Sequence, residues 1–176
     1  AGLPPHTCIA TNKMSSTFGT ALATLRFIKA GLVNLKLAVP AVIAAIIGST
    51  TGANISLVIP EKVMTYVLFV VLPLSAFLVL NKKLFNNDGS DTVVLDKRTY
   101  ITAMLSAFVV GIYDGFYGPG TGTFLIIAFT VFAKLDIKTA NAQAKVINLT
   151  TNVTALAIFL INGQVLLPLG IAAAAS

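Results

Sequence analysis

The chain has 176 residues, of which 56% are hydrophobic and 10% are charged, and its mean hydropathy is +0.90. So little charge excludes an ordinary soluble domain of this length. The net charge of +6 therefore predicts membrane topology rather than a nucleic-acid partner, and the lipid bilayer is the expected surrounding.

Apolar runs in chain order predict an all-α polytopic membrane protein, a helical bundle. Each run approaches or exceeds the roughly 20 residues that a helix needs to cross a bilayer. A further run over 121–133 is short for a crossing, and another begins at Val165 and reaches the end of the chain. The five predicted spans are 8–28, 37–59, 63–80, 99–116 and 139–161.

Loops rich in Lys and Arg alternate with loops that are poor in them. The rich loops are expected to face the cytoplasm. The first loop carries Arg26, Lys29 and Lys36, and the longest one, with a polar centre at 86–91, carries Lys82, Lys83, Lys97 and Arg98.

An internal repeat is predicted by a shift of 132 positions, which aligns Lys13 with Lys145 and Gly31 with Gly163 without a gap. Positive charge marks opposite ends of the aligned spans, so the two copies are expected to be inverted. Cysteine labels at Asn34 and Asn162 on one membrane side would contradict this. The predicted division is 1–98, with the first-repeat spans and the cytoplasmic loop, and 99–176, with the second-repeat spans. The native protein is expected to extend in both directions, with a second glycine-rich break upstream.

A glycine-rich break over 111–123 (GIYDGFYGPGTGT) interrupts the apolar sequence. Broken backbone is tolerated at membrane depth only inside protein or along a wet cavity, so we expect a broken-helix hairpin there. A helix starting near Thr121 would present N–H donors to an anion, and glycines would allow close approach. A tight turn between packed helices is an equally good explanation. The predicted binding residues here are Gly118, Gly120, Thr121, Gly122 and Thr123.

Two lysines, Lys13 and Lys145, lie inside predicted spans, each on a polar stripe at helical spacing. Ionisable groups within a span are costly and predict function by default. The alternative is that both lysines lie close enough to the helix ends to extend to the interface. We expect Asn12, Asn148, Thr151 and Asn152 to add neutral hydrogen bonds to the same site.

Asp114 is the one acidic residue inside a predicted span. It could pair with Lys145 or Lys13, cap the following turn, or carry a coupling proton, and an ion pair or cap is the favoured role. A single His and a single Cys give no metal-ligand spacing, so neither a metal nor another cofactor is expected.

The run YDGFYGPGTGT, together with AQAKVIN at 142–148 and NGQV at 162–165, resembles the TauE/SafE family of sulfite-exporter-like permeases. The opening GLPPH at 2–6 and ATNK at 10–13 fit the same pattern. The resemblance implies a bacterial inner-membrane permease for sulfite, a sulfonate or a related small organic anion.

The residues and the resemblance together predict a secondary transporter for a small anion, with alternating access between the two repeats. A passive anion channel and a non-transporting assembly subunit are the alternatives. An enzyme is not expected, because the spans contain no nucleophile–base pair. The oligomeric state is left open.

Overall fold

The structure is a computed structural model that describes residues 4–80 and 96–175, where every regular element is helical. The predicted polar loop centre at 86–91, with Lys82 and Lys83 before it, lies outside the described residues. The helices are α1 (Pro5–Lys29), α2 (Leu35–Val58), α3 (Glu61–Leu80), α4 (Lys97–Phe116), α5 (Thr121–Ile127), a π-helical turn (Ala128–Phe132), α6 (Ile137–Ile161) and α7 (Leu167–Ala175).

Three of the described helices, α2, α4 and α6, are long and apolar enough to cross a membrane. They cover the predicted spans 37–59, 99–116 and 139–161, each beginning within the turn before the predicted start. Helices α1 and α3 cover the other two predicted spans. That these two helices also cross the bilayer stays a prediction.

The distribution of side-chain size is that of a membrane protein. Most of the buried apolar residues are alanines, such as Ala45, Ala107 and Ala140, whereas many large apolar side chains are exposed. Lipid is as apolar as leucine, so helices in a bilayer gain by bringing small residues together and leaving large ones outside. The exposed set includes Ile43, Ile47, Leu105, Val109 and Ile161.

Glycines bring α2 and α4 into backbone contact. A methyl group added to Gly48 would collide with the Phe108 carbonyl, and one added to Gly52 would collide with the Ile112 carbonyl. From α4, Gly115 approaches the Ser49 carbonyl equally closely. Contacts advance along both helices in the same direction, so α2 and α4 run parallel. The small residues of α2 and α4 thus form a close helix contact.

Helices α1 and α6 pack in antiparallel orientation. Lys13 contacts Asn152, whereas Thr24, further along α1, donates to the carbonyl of Lys145, which lies earlier in α6. Both helices have 25 residues, and their first residues, Pro5 and Ile137, are separated by the predicted shift. This pair supplies two walls of the site described below.

Side-chain caps define where α2, α4 and α6 begin. Asn34 accepts from the Leu37 amide, and Asp96 accepts from the Thr99 amide. Asp136 accepts from the amides of Lys138 and Thr139. Hydrogen bonds from Thr99 hold the pKa of Asp96 below its usual value. Partial burial raises the pKa of Asp136, but its hydrogen bonds from Thr139 and Lys138 outweigh that effect and leave it lowered.

Candidate functional site

A cavity of about 500 Å³ lies between α1, the glycine-rich break and α6. It is many times larger than the roughly 30 Å³ that one water occupies in the liquid, so a small anion fits together with water. The three segments are distant in sequence and meet because α1, α4 and α5 all pack on α6. Of the predicted site residues, those lining the cavity are Asn12, Lys13, Asp114, Gly118, Gly120, Thr121, Gly122, Lys145, Asn148 and Asn152.

Lys13 and Asp114 form a buried ion pair at one wall of the cavity. The Lys13 ammonium lies 2.8 Å from Oδ2 of Asp114, and both side chains are at most 3% exposed. The contact is an ion pair rather than a well-angled hydrogen bond, since Oδ2 has no hydrogen-bond partner among the described residues. Lys13 also donates to Oδ1 of Asn152 at 3.0 Å. Of the two lysines predicted as partners of Asp114, the structure selects Lys13.

The second carboxyl oxygen of Asp114 faces the start of α5. The Thr121 hydroxyl oxygen lies 2.5 Å from Oδ1 of Asp114 and 2.6 Å from the carbonyl oxygen of Gly118. The Thr121 amide donates to that same carbonyl at 3.2 Å, so this first-turn N–H is already occupied. The Tyr113 hydroxyl donates to the Pro119 carbonyl, which connects the end of α4 to the break.

Gly118 allows the break to approach the ion pair closely. Its φ of 102° lies in the region that favours glycine. A methyl group at this position would lie 2.8 Å from the Lys13 ammonium nitrogen and 3.1 Å from Oδ1 of Asp114. Gly120 caps α5 with a φ of 85°. The glycines of the break therefore form the turn and also line the cavity, and their part in binding an anion stays a prediction.

Lys145 lines the same cavity from α6 but has no ion-pair partner among the described residues. Asn148 and Asn152 lie on the same face of α6, and the Asn152 amide donates to Oδ1 of Asn148 at 3.3 Å. Asn152 thus connects Lys13 to Asn148. With Asp114 ionised, the charged side chains described in the lining leave one positive charge unbalanced.

Two predicted site residues, Thr123 and Thr151, are not among the residues lining the cavity. Successive helical residues are turned by about 100°, so Thr151 is turned away from Asn152, and its hydroxyl donates to the carbonyl of Asn148 within α6. It is fully buried, and its carbonyl accepts from the hydroxyl of Ser49 on α2. Thr123 is turned away from Thr121 for the same reason.

The cavity also contains residues that were not predicted as site residues. Ser16 and Thr20 belong to the polar stripe of α1 and could have been assigned from their spacing with Lys13. Tyr117 lies close to Asp114 in the sequence and could have been assigned for that reason, whereas Pro119 gave no such signal, because prolines are common in turns. The additional lining residues are Ser15, Ser16, Gly19, Thr20, Ala23, Tyr117 and Pro119.

A second cavity of about 360 Å³ adjoins the first and is mainly lined by apolar groups. Asn12, Tyr117 and Pro119 line both cavities and form the partition between them. The described residues contain no cluster of His, Cys, Asp or Glu that could hold a metal ion. The chemistry that the first cavity offers is therefore two ammonium groups, one carboxyl group, amides and hydroxyls.

Spanning helices with small residues inside, together with a charged cavity between them, define a multi-pass membrane protein. The whole chain, residues 1–176, matches the family described as Sulfite exporter TauE/SafE. The chain belongs to this family, as its motifs indicated.

Its relatives are bacterial proteins named as probable membrane transporters, not as enzymes. It is 31% identical to ORF9 of a Sinorhizobium species over 97% of this chain and 64% of that protein. It is 30% identical to a probable transporter of Haemophilus influenzae, covering 96% of this chain and 65% of that one. It is also 30% identical to YfcA of Escherichia coli, covering 94% and 61%. The chain thus spans less than two thirds of these relatives, and no solved structure matches it.

Proposed function

We propose that the protein is a secondary transporter for a small anion, with sulfite or a simple sulfonate as the substrate class. The observation that carries this proposal is Lys145, a cation that lines a polar cavity and has no ion-pair partner in the described part of the chain. An unpaired charge within a membrane helix is costly and is retained where a ligand or pathway uses it. The family description supports a sulfur oxyanion.

The groups around Lys145 suit an anion with several oxygens. Lys145 supplies the charge, and Asn148 and Ser16 line the same cavity with neutral donors. A sulfite or sulfonate presents three oxygens in a compact pyramid, so it can accept from several of these groups at once. Lys13 is a second potential partner, although it is paired with Asp114 in this structure.

We further propose that alternating access arises from an inverted repeat that relates α1 and α2 to α6 and α7. The equal lengths and antiparallel packing of α1 and α6 support it. The loops that follow them turn at Gly31 and Gly163, with similar φ values of 69° and 66°. Rocking of one repeat against the other would expose a site at their interface to each side in turn.

The test is counterflow of labelled sulfite and methanesulfonate in proteoliposomes containing the full-length protein. Lys145→Ala is compared with Lys138→Ala, a variant of an exposed lysine in the first turn of the same helix. We expect saturable exchange in the wild type and in Lys138→Ala, and loss of exchange in Lys145→Ala. Exchange that survives in Lys145→Ala would reject the role of this lysine. Absence of exchange in the wild type would reject the substrate class.

A passive anion channel would use the same cavity with weaker contacts. Kinetics distinguish the two, because the flux of an anion through a pore is not accelerated by substrate on the opposite side of the membrane. A non-transporting assembly subunit would retain its activity when both lysines are replaced. The buried ion pair favours a carrier, since a carrier must exchange such contacts during its cycle, and Lys145, which has no ion-pair partner among the described residues, lines the same cavity.

A further inference from the structure

We infer that Asp114 is the binding site for a proton that is transported together with the anion, with Thr121 as its hydrogen-bond relay. This inference rests on the proposed transport function. It comes from the oxygen geometry at the start of α5, where three oxygens lie in a short chain: Asp114 Oδ1, Thr121 Oγ1 and the Gly118 carbonyl.

The number of hydrogens shared by these three oxygens decides which hydrogen bonds they can form. Thr121 lies 2.5 Å from Asp114 Oδ1 and 2.6 Å from the Gly118 carbonyl oxygen, and both distances are typical of strong hydrogen bonds. A hydroxyl has one hydrogen to donate, and a carbonyl oxygen can only accept. With an ionised carboxylate, one of the two contacts would join two acceptors. With a proton on Oδ1, the carboxyl group donates to Thr121, which donates to Gly118, and both contacts are satisfied.

The other carboxyl oxygen keeps its partner in either state. Oδ2 faces the Lys13 ammonium at 2.8 Å, and a neutral carboxyl group still accepts there. Protonation removes the ion pair but leaves every polar contact in place. It also frees the charge of Lys13, which Asn152 holds at the cavity wall, for an incoming anion.

The charged surroundings of Asp114 favour joint binding of a proton and an anion. Helices α2, α5 and α6 and the π-helical turn pack against α4. Helix α5 and the π-helical turn have no charged residue, α2 contributes Lys36 at its first turn, and α6 contributes Lys138 at its first turn and Lys145 in the cavity. Lys13 reaches Asp114 from α1. Tyr113 and Tyr117 are the titratable neighbours on its own segment.

The charges in the cavity explain why a proton and an anion would bind together. An ionised Asp114 repels an anion in the same cavity, and this repulsion is strong where water is scarce. When one monovalent anion and one proton bind together, the cavity keeps the single positive charge that it has when empty. The complex therefore moves across the membrane with no change in its charge, and the membrane potential does no work on the added pair. By linkage, each ligand raises the affinity for the other.

The experiment uses methanesulfonate, which stays fully ionised at neutral pH and so cannot itself carry the proton. Uptake into proteoliposomes of the full-length protein is measured with the membrane potential clamped at zero, with and without an inward-directed gradient of one pH unit. An internal pH-sensitive dye records proton entry. Coupling of one proton to one anion predicts accumulation approaching about tenfold, because one pH unit is a tenfold proton ratio. Uptake without dye response and without accumulation would reject the inference.

Variants separate coupling from folding. Asp114→Asn keeps an oxygen for Lys13 and an amide for Thr121, so we expect the variant to fold, as thermal unfolding of the detergent-solubilised protein measures, while accumulation and proton entry are lost. Thr121→Val removes the relay and is expected to weaken proton-driven uptake, whereas Thr121→Ser restores it. Glu61→Gln, at the exposed start of α3, is the control for removing a carboxylate elsewhere. Proton-driven accumulation that persists in Asp114→Asn would overturn the assignment. Absence of counterflow in the wild type would instead reject the proposed substrate class, on which the inference rests.

Discussion

The ammonium group of Lys13 donates to Oδ1 of Asn152 at 3.0 Å and joins two residues that are 139 positions apart. The same ammonium lies 2.8 Å from Asp114. One side chain of α1 therefore connects α6 to the glycine-rich end of α4. Any movement of α1 relative to α6 must break or exchange these contacts, which places the ion pair at the junction that an alternating-access cycle would have to rearrange.

The Lys13–Asp114 pair is expected to behave as a unit in stability measurements. Lys13→Met and Asp114→Leu each leave a buried charge without its partner, so each should destabilise the fold by about 3–5 kcal/mol. The double variant should recover a large part of that loss, because no unpaired charge remains. Thermal unfolding of the detergent-solubilised protein measures all three. Strictly additive effects would show that the two charges do not interact.

Gly118→Ala is expected to impair anion exchange more than Gly163→Ala does. Both glycines have positive φ, so alanine brings backbone strain of about 1–2 kcal/mol at either position. Only at Gly118 would the new methyl group also displace Lys13, whereas nothing lies within 4 Å of such a group at Gly163. Counterflow and thermal stability are measured for both variants. Equal loss of exchange would indicate that strain alone accounts for the effect.

Gly52→Ala should destabilise the α2–α4 contact. The added methyl group meets the Ile112 carbonyl, which is backbone and cannot rotate away. We therefore expect the free energy of unfolding to fall by about 1–3 kcal/mol. Gly19→Ala is the control, because a methyl group on this helical glycine meets nothing within 4 Å. There the higher helix propensity of alanine should leave stability unchanged or raised by up to about 1 kcal/mol. Chemical denaturation in mild detergent compares the two variants.

Asp136 is expected to make stability fall in acid. Its pKa is lowered in the folded protein, so its contribution is present above the pKa of the unfolded chain and is lost as pH falls through the lower folded value. Asp136→Asn keeps a good helix cap and should remove this acid dependence. Asp136→Ala should cost about 1 kcal/mol at neutral pH, since the amides of Lys138 and Thr139 lose their acceptor. The free energy of unfolding of the wild type and of both variants is measured from neutral pH down to the acidic range in which carboxyl groups titrate.

The inverted repeat predicts opposite membrane sides for Ala30 and Asn162. Both are exposed residues at the C-terminal caps of the corresponding helices α1 and α6. In a Cys8→Ser background, Ala30→Cys and Asn162→Cys are labelled with a membrane-impermeant thiol reagent before and after permeabilisation. We expect one position to react in intact cells and the other only after permeabilisation. Reaction of both from the same side would contradict the inverted arrangement while leaving the helix packing unaffected.

The sequence by itself determined the class, the helix positions and the segments that form the site. Hydropathy and bilayer thickness fix where the apolar helices lie, and the broken backbone at 111–123 is a local signal that needs no tertiary contact. For the same reason Lys13, Lys145 and Asp114 could be selected: ionisable groups inside spans are rare and costly.

Only the tertiary structure decided which of these groups meet. Two lysines were possible partners for Asp114, and the antiparallel packing of α1 on α6 brings Lys13 to it and leaves Lys145 facing the cavity without an ion-pair partner in the described residues. Thr151 has the same chemistry as the lining residues, but its hydroxyl bonds within α6 and its carbonyl accepts from Ser49 of α2. The short contacts of Thr121 depend on the turn at Gly118, which composition cannot specify. Pairing and orientation come from helix packing, and packing between distant segments is not encoded in any local pattern.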